Sequence, residues 1–342
     1  MNSALPVQSK REVMDMNRKR KSFRRMLAAL CCLLLLLNLS ACMGENQKDK
    51  TASGDVPEIP ERLSRNADGI PVLKVYNTAT ESIEEMDLET YIMGVVAGEM
   101  KNTWPIEALK AQAILARTFT MKFLTTKTSG YEGADISTDV QEAQAYNADA
   151  INDRIREAVN ETRGIVMTAD GDFTQAWFHA HSGGKTELPT KALDYSENPA
   201  YLQIVESPES DQAPEEVQNW SATFTLEQVR KACQDAGAQV EAIERFEVGE
   251  RGESGRAVTF LVNENTEVSA PTFRLQIGAS ELKSTLIHSI EIHGDEITFT
   301  GSGFGHGVGM SQWGARQMAD EGRTAEEIVT YYYSGIELAE LW

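Results

Sequence analysis

Apolar and polar positions along the chain predict a mixed fold. Apolar residues recur at helical spacing over 87–100 and 105–124, and each stretch is expected to form a helix. Apolar residues alternate with polar ones in Val72–Tyr76, which predicts a strand ahead of both helices. The remaining predicted elements are helices at 151–163, 226–236, from Ser311 and at 324–333, a hairpin at 164–181 and a strand-rich section at 240–300. Strands and helices that do not alternate regularly predict an α+β fold with mostly antiparallel strands.

A glycine occupies every second position from Gly301 to Gly309. In an extended chain these glycines share one face, and side chains such as Phe304 and His306 lie on the other. A face of glycine permits close approach of a backbone or a ligand. Ser311 is then a plausible helix cap. The segment fits neither a dinucleotide-binding fingerprint nor a P-loop. The sequence leaves two interpretations of this segment open, a purely structural turn and a turn that contacts a sugar.

Charge is distributed unevenly. Residues 1–25 carry a net charge of +6 and residues 26–42 carry none, so a total of −20 leaves −26 for the remaining 300 residues. A basic head, an apolar run and small residues at its end are the parts of a secretory signal. The acidic body argues against nucleic acid as a partner, because binding phosphates requires a basic surface.

The apolar run ends in Leu39-Ser40-Ala41-Cys42, which resembles the cleavage site of bacterial lipoproteins. There the chain is cut before the cysteine, which receives lipid, so Cys42 is the predicted lipidation site. An uncleaved signal anchor is the alternative, although a run of about 17 residues is at the lower limit for crossing a bilayer. Either anchor places the acidic body on the outer face of the cell membrane.

The chain is therefore predicted to have three parts. Residues 1–42 form the signal or membrane anchor, 43–71 a polar tether with three prolines, and 72–342 one folded unit with a strand-rich insertion at about 205–295. The acidic stretch 206–219 is expected to be a surface loop. The cysteines offer no disulfide framework and no cysteine-based zinc site.

One carboxylate lies on the apolar face of the first predicted helix, where Glu99 shares a stripe with Ile92, Val95 and Val96. Glutamate is seldom buried without a partner. Partial burial raises the pKa of a carboxyl group, which suits a general acid near neutral pH. A helix-end glutamate in a solvated salt bridge is the alternative that spacing alone leaves open.

The second predicted helix is rich in alanine, which allows close packing. Gln112, Ala116 and Phe119 share one face, and Arg117 lies beside it. Most of this helix is expected to be core. Gln112 and Arg117 are expected to lie beside Glu99 if the two helices pack antiparallel.

Two histidines, His179 and His181, point the same way at the end of a predicted strand, just before Ser182. Two ligands make a weak case for zinc, which usually has three or four. Hydrogen-bonding roles are favoured for these side chains, and no metal is predicted.

Four segments together resemble the stage II sporulation protein D family. They are YIMGVVAGEM at 91–100, ALKAQAILARTF at 108–119, HSGGKT at 181–186 and GFGHGVGMSQWGAR at 303–316. Four separate matches in the same order, spread over roughly 72–342, make the resemblance specific.

The resemblance implies a lytic transglycosylase that cleaves peptidoglycan glycan strands during engulfment, leaving 1,6-anhydro-N-acetylmuramic acid ends. It implies that the preferred substrate is glycan stripped of stem peptides by a partner amidase, stage II sporulation protein P. It also implies that other engulfment membrane proteins are partners and that the protein lies in the mother-cell engulfing membrane. No cofactor is implied. The family's catalytic glutamate falls on Glu99. The candidate substrate-binding residues are Gln112, Arg117, His179, Ser182, His306, Ser311, Gln312 and Trp313.

A single carboxylate suits this chemistry. Ordinary glycosidases use two, whereas Asp87 and Glu89 lie away from the face of Glu99. In a lytic transglycosylase, one glutamate protonates the leaving oxygen. It then takes a proton from the sugar's own 6-hydroxyl, which attacks C1 and benefits from proximity.

One departure concerns zinc. Some members of the family carry a site built around Cys-x4-Cys-Gln-x-Tyr, and the corresponding segment here has Thr138 and Ala143 in place of the cysteines. Neither side chain binds zinc, so no structural metal is expected.

The competing interpretation of the whole chain is a non-catalytic one, a glycan-binding enhancer of a cell-wall amidase in which Glu99 only orients sugar.

Overall fold

The computed structural model describes residues 56–342. The predicted signal, Cys42 and the first part of the predicted tether lie outside the described residues. Among residues 56–342, no helix is both long and apolar enough to cross a membrane.

Helices and strands alternate irregularly along the described chain. The helices are α1 Leu88–Glu99, α2 Ile106–Thr126, α3 Asp153–Glu161, α4 Pro189–Ala192, α5 Glu215–Gln218, α6 Leu226–Asp235, α7 Ala270–Ile277, α8 Gln312–Asp320 and α9 Ala325–Tyr332, with a 3₁₀ turn at Ala148–Ala150. The strands are β1 Val72–Asn77, β2 Ser82–Asp87, β3 Ile136–Ser137, β4 Ile165–Ala169, β5 Asp172–Phe173, β6 Phe178–His179, β7 Asn219–Thr225, β8 Phe246–Val248, β9 Thr259–Val262, β10 Thr266–Ser269, β11 Ile287–His293, β12 Glu296–Ser302, β13 Met310–Ser311 and β14 Glu337–Glu340.

Helix α2 is the centre of a first hydrophobic core. Helices α1, α3, α8 and α9 and strand β4 pack around it. Its alanines are buried on several sides, because small side chains let neighbouring helices approach closely. Helix α1 begins where the Asp87 side chain accepts the backbone N–H of Thr90, and α2 begins directly after Pro105.

Short sheets flank this core. β1 pairs antiparallel with β2 and parallel with β3, and β4 pairs antiparallel with β5 and β14. The turn at Asp170-Gly171 joins β4 to β5, as the sequence predicts. β6 and β13 form a two-stranded parallel pair. Helices packed against mostly antiparallel strands confirm the α+β class.

A second hydrophobic core belongs to the strand-rich section. It holds the antiparallel sheet β11-β12-β7, the antiparallel sheet β10-β9-β8 and helices α6 and α7. The rings of Phe246, Phe260, Phe273 and Phe299 meet at its centre, with centroids 5.0–6.3 Å apart. Helix α7 was predicted as strand. Its eight residues are too few for a clear helical period, and Ser269 sets its start by accepting the N–H of Thr272.

The folded part begins before residue 72. Leu63 and Ile70 are buried in the first core, and the Asn66 side chain accepts the N–H groups of Asp68 and Ile70 to close a turn. The predicted tether is therefore too long at its C-terminal end, because Leu63 and Ile70 find partners that local composition does not reveal.

The glycine-rich segment is not an extended strand. β12 ends at Ser302, and Gly303, Gly305, Gly307 and Gly309 all have positive φ, from 68° to 108°. A Cβ atom on Gly305 would lie 2.7 Å from Cβ of His179. The glycines thus permit a succession of tight turns against the β6 region, rather than one smooth face.

Candidate active site

Glu99 is the last residue of α1, and its carboxylate is held from two sides. Oε1 accepts the backbone N–H of Ala145 at 2.8 Å, and Oε2 accepts Nε2 of Gln312 at 3.3 Å. Burial raises the pKa of Glu99 above its ordinary value, and these two hydrogen bonds offset only part of that rise. The solvated salt bridge considered from sequence is absent, since no cation among residues 56–342 pairs with Glu99.

Two glycines let the segment before the 3₁₀ turn approach α1. A Cβ atom on Gly98 would lie 2.7 Å from the backbone of Ala145 and Tyr146, and one on Gly94 would overlap the ring of Tyr146. Gly94 also accepts the backbone N–H of Asn147 at 2.9 Å. The sequence Gly-x-x-x-Gly-Glu therefore places the N–H of Ala145 on the carboxylate.

Glu99 opens into a cleft of about 510 Å³ between the two cores. Its walls come from α2, the segment 140–144, the β6 region, the glycine-rich segment and α7. The lining residues are Glu99, Phe119, Val140, Gln141, Ala143, Gln144, Ala176, Trp177, Phe178, His179, Ala180, Arg274, Leu275, Phe304, Gly305, His306 and Gln312. Val140 and Leu275 are 62% and 65% exposed, so apolar surface faces solvent at this cleft. Aromatic rings beside polar groups suit a sugar, which offers both apolar faces and hydroxyls.

Two further cavities share lining residues with this cleft. A second cavity of about 450 Å³, lined by 97–103 and Ala150, shares Glu99. A third of about 310 Å³ shares Phe119 and Trp177 with the cleft. Glu99 therefore borders two of these hollows.

Gln312 contacts the candidate acid directly, whereas Gln112 contacts Gln312 and makes no hydrogen bond to Glu99. Nε2 of Gln312 is 3.3 Å from Oε2 of Glu99 and 3.5 Å from Oε1 of Gln112. Gln112 is fully buried, so it positions Gln312 instead of facing the cleft.

His179 and His306 line the cleft with ring centroids 5.6 Å apart. Nδ1 of His179 is 3.1 Å from the carbonyl of Val308, which leaves Nε2 without a partner among the described residues. Burial, with smaller contributions from His306 and Arg256, holds the pKa of His179 well below its usual range. Burial and the nearby Arg274 and Arg256 lower the pKa of His306 to about 3. Both rings are thus neutral at physiological pH and act as hydrogen-bonding groups.

Arg117 does not reach the cleft, which corrects the prediction from sequence. It is fully buried and pairs with Glu89, with Nη2 2.6 Å from Oε2. It also donates to the carbonyl of Ile165 at 2.9 Å. Glu89 further accepts the N–H of Gly164 at 2.9 Å. This arginine therefore joins α2 to the start of α1, on the opposite end of that helix from Glu99.

Ser182 and Ser311 are also buried rather than exposed to a ligand. Both hydroxyls donate to the carboxylate of Glu209, Ser311 at 2.9 Å, and the backbone N–H of Ser182 does so at 2.9 Å. Ser311 also caps α8 by accepting the N–H of Gly314. The predicted surface loop 206–219 thus supplies a buried acid, which composition gave no reason to single out.

Trp313 is 6% exposed and packs inside the first core. Its ring lies 4.6 Å from that of Trp104, and the guanidinium of Arg316 lies 5.2 Å above it. It is not among the described residues that line the cleft, so its predicted sugar contact is wrong for this cavity. Three further residues line the cleft but were not among the candidates from sequence: Trp177, Arg274 and Phe304. Of these, Trp177 could have been singled out, because it lies two residues before the candidate His179.

The segment that corresponds to the zinc-binding stretch of some relatives supplies the N–H of Ala145. Within residues 56–342, no group of three or more histidine, cysteine, aspartate or glutamate side chains is arranged to hold a metal.

Comparison with known proteins shows which family the chain resembles. The family model of the stage II sporulation protein (SpoIID) matches residues 76–168, and a model of a domain of unknown function (DUF8618) matches 171–309. The chain is similar to Stage II sporulation protein D of Bacillus subtilis (strain 168), with 33% identity over 94% of this chain and 96% of that protein. The same protein from Bacillus amyloliquefaciens is 30% identical over 92% of this chain and 95% of its own length. An amidase enhancer of Bacillus subtilis (strain 168) is 27% identical over 72% of this chain and 40% of its own length.

The two proteins named Stage II sporulation protein D align with this chain over nearly their full length. The chain belongs to the stage II sporulation protein D family.

Proposed function

We propose that this protein is a peptidoglycan lytic transglycosylase of sporulation, with Glu99 as its single acid and base. Membership of the family supports a cell-wall-related role in sporulation. The observation that carries the proposal is that Glu99 is the only carboxylate among the described residues lining the cleft. Hydrolytic glycosidases need two carboxylates, whereas an intramolecular attack needs one.

In this mechanism the protonated carboxyl of Glu99 gives its proton to the glycosidic oxygen as the C1–O bond breaks. The resulting carboxylate takes the proton of the 6-hydroxyl, whose oxygen closes the ring on C1. The N–H groups of Ala145 and Gln312 fix the carboxylate in place and stabilise it between the two steps. Burial keeps the proton available at higher pH than an ordinary glutamate would.

The experiment is a digestion of peptide-free glycan strands without any amidase, analysed by mass spectrometry. The wild-type protein is expected to release 1,6-anhydro ends. Glu99→Ala is expected to release none, and Glu85→Ala, an exposed glutamate on β2, is the control with normal release. Full activity of Glu99→Ala would disprove the assigned role.

A second candidate function is a glycan-binding enhancer of an amidase, favoured by the similarity to an amidase enhancer. An enhancer yields no anhydro product alone but increases peptide release when the amidase is added. The same digestion, repeated with an amidase, separates the two functions.

We also propose that the body is held at the outer face of the cell membrane, in the mother-cell engulfing membrane, by lipid on Cys42 or by an uncleaved signal. There it would act with stage II sporulation protein P. Mass spectrometry of the membrane-bound protein tests the anchor: a chain that begins at a lipid-modified Cys42 shows the lipid anchor, whereas a chain that keeps residues 1–41 and an unmodified Cys42 shows the uncleaved signal.

A further inference from the structure

Arg274 on α7 lies in the wall of the cleft that holds Glu99. Its side chain is nine-tenths buried, at 9% exposure, and it also lines an adjoining hollow with Leu275 and His306. Buried arginines are almost always paired with a carboxylate. A buried arginine in a ligand cleft therefore raises the question of what neutralises it.

The protein itself supplies only neutral partners. Nε donates to the carbonyl of Leu282 at 2.9 Å and Nη2 to that of Ala279 at 2.8 Å. No carboxylate among residues 56–342 pairs with Arg274, and Nη1 has no hydrogen-bond partner there. Burial lowers its pKa to about 10, so the guanidinium is still charged at neutral pH.

A second buried guanidinium adds to this charge. Arg256 is fully buried and donates to the carbonyl of Ser182 at 2.6 Å. Burial, followed by the charge of Arg274, lowers the pKa of Arg256 to about 10. Two histidines beside them are neutral. The carboxylates of Glu187 and Glu209 lie near Arg256 and offset part of its charge, whereas burial is the sole cause of the pKa shift of Arg274. An anionic group on the ligand would therefore compensate the charge of Arg274 in the cleft.

The proposed substrate carries a carboxylate on the muramic acid itself only after its stem peptide has been removed. Hydrolysis of the amide between muramic acid and peptide leaves a free lactyl carboxylate on C3 of the sugar; before hydrolysis that position is neutral and bulky. Glu99 and Arg274 line the same cleft, so a muramic acid with C1 at Glu99 would have its C3 substituent in the cavity that Arg274 lines.

We propose that Arg274 binds the lactyl carboxylate of the muramic acid next to the scissile bond and so selects peptide-stripped glycan. The proposal rests on the proposed function. Arg274 is a specificity-determining residue here, and its Nη1 group is suited to a charge-assisted hydrogen bond to a carboxylate, since Nε and Nη2 already donate to backbone carbonyls.

The wild-type protein alone provides the first test. Peptide-free glycan strands are compared with the same strands whose lactyl carboxylates have been converted to methyl amides. Loss of a charge-assisted hydrogen bond is expected to lower kcat/KM about tenfold to a hundredfold on the amidated strands. Equal rates on both substrates would overturn the proposal, and no variant has to fold for this result.

Two variants then assign the effect to Arg274. Arg274→Gln is expected to lose activity on carboxylate-bearing strands and to keep the residual rate on amidated strands, so that the ratio falls to about one. Arg245→Gln, an exposed arginine in the same strand-rich section, removes the same charge and is expected to keep the ratio. A merely structural role would lower both rates equally and leave the ratio unchanged, which would contradict the proposal.

Binding separates this proposal from the proposed function. A carboxylate-bearing muramic acid disaccharide and its methyl amide are titrated into Glu99→Gln, which is unable to act as the acid. Preferential binding of the carboxylate, lost in Glu99→Gln/Arg274→Gln, supports the proposal even if the wild-type protein cleaves nothing. Cleavage by the wild-type protein without any binding preference would overturn the role of Arg274 and leave the enzymatic function intact.

Discussion

The backbone N–H of Ala145 lies 2.8 Å from Oε1 of Glu99 and donates to it. This bond joins the end of α1 to a segment 46 residues further along the chain. It depends on Gly98, because any larger residue would push that segment away. The position of the candidate acid is thus set by a glycine next to it and by a backbone donor that no side-chain motif contains.

Gly98→Ala is expected to lower activity about tenfold to a hundredfold with little loss of stability. The new Cβ would lie 2.7 Å from the backbone of Ala145, so the segment must shift and its N–H must leave Glu99. Alanine favours a helix by about 1 kcal/mol over glycine, which offsets part of the cost of the shift. Release of anhydro ends and thermal unfolding measure the two effects.

Gly130→Ala is the matched control. Its Cβ would meet Oε1 of Glu142 at 3.6 Å, an ordinary contact, so activity is expected to stay near that of the wild-type protein. Equal activity in both variants would show that the close approach at Gly98 is unimportant for the site.

The elements around the site could be predicted because their signals are local. The helices expected at 87–100 and 105–124 occur at Leu88–Glu99 and Ile106–Thr126, since a cap at Asp87 and a proline at 105 mark their starts. The apolar stripe also placed Glu99 on a partly buried face. Such signals depend only on neighbours a few residues apart.

The tertiary partners could not be predicted in the same way. Arg117 lies on the face next to Gln112. Spacing cannot tell whether its side chain faces a cleft or pairs with the buried carboxylate of Glu89, 28 residues earlier. The burial of Glu209 and the placement of Arg274 likewise follow from contacts between elements distant in sequence. The alternating glycines predict an extended chain, which is wrong, because periodicity does not report the sign of φ.

The pH dependence of activity should report the environment of Glu99. The acid step requires the protonated carboxyl, whose pKa burial raises, so activity is expected to fall as the pH rises through that elevated pKa. The Nε2 donor of Gln312 lowers the pKa. Gln312→Met is therefore expected to move this fall to higher pH, by under one pH unit for a hydrogen bond worth about 1 kcal/mol.

Gln317→Met, on the same helix α8, controls for the loss of an amide, since Gln317 bonds to Glu321 on the surface. Its pH profile of kcat/KM is expected to match that of the wild-type protein. A profile for Gln312→Met that stays in place, or moves to lower pH, would show that Gln312 does not act on the pKa of Glu99.

Two glutamates on α1 are expected to respond in opposite ways to replacement by glutamine. Because the folded protein raises the pKa of Glu99, its contribution to stability is present at low pH and is lost as the pH rises through that pKa. At neutral pH, Glu99→Gln should therefore be inactive yet as stable as the wild-type protein, or more so. Glu89→Gln removes the partner of buried Arg117 and is expected to cost about 3–5 kcal/mol.

Urea unfolding at pH 7 measures both variants, with the released anhydro ends measured alongside. A Glu89→Gln protein as stable as the wild-type protein would show that the Arg117 pair is dispensable. A strongly destabilised Glu99→Gln would show that the Glu99 side chain stabilises the fold at neutral pH, contrary to this prediction.

Glu209 and Glu206 lie three residues apart in the acidic loop and provide the last contrast. Glu209 accepts from both the hydroxyl and the N–H of Ser182 and from the hydroxyl of Ser311, so Glu209→Ala leaves buried donors without an acceptor. The expected cost is about 2–4 kcal/mol, with reduced activity because the glycine-rich segment loses its link to the β6 region. Glu206 is 79% exposed at its side chain and faces Lys185 at 3.5 Å, so Glu206→Ala is expected to change stability by less than about 0.5 kcal/mol. Urea unfolding of the two variants checks both values, and similar losses in the two would show that the buried carboxylate does not hold these segments together.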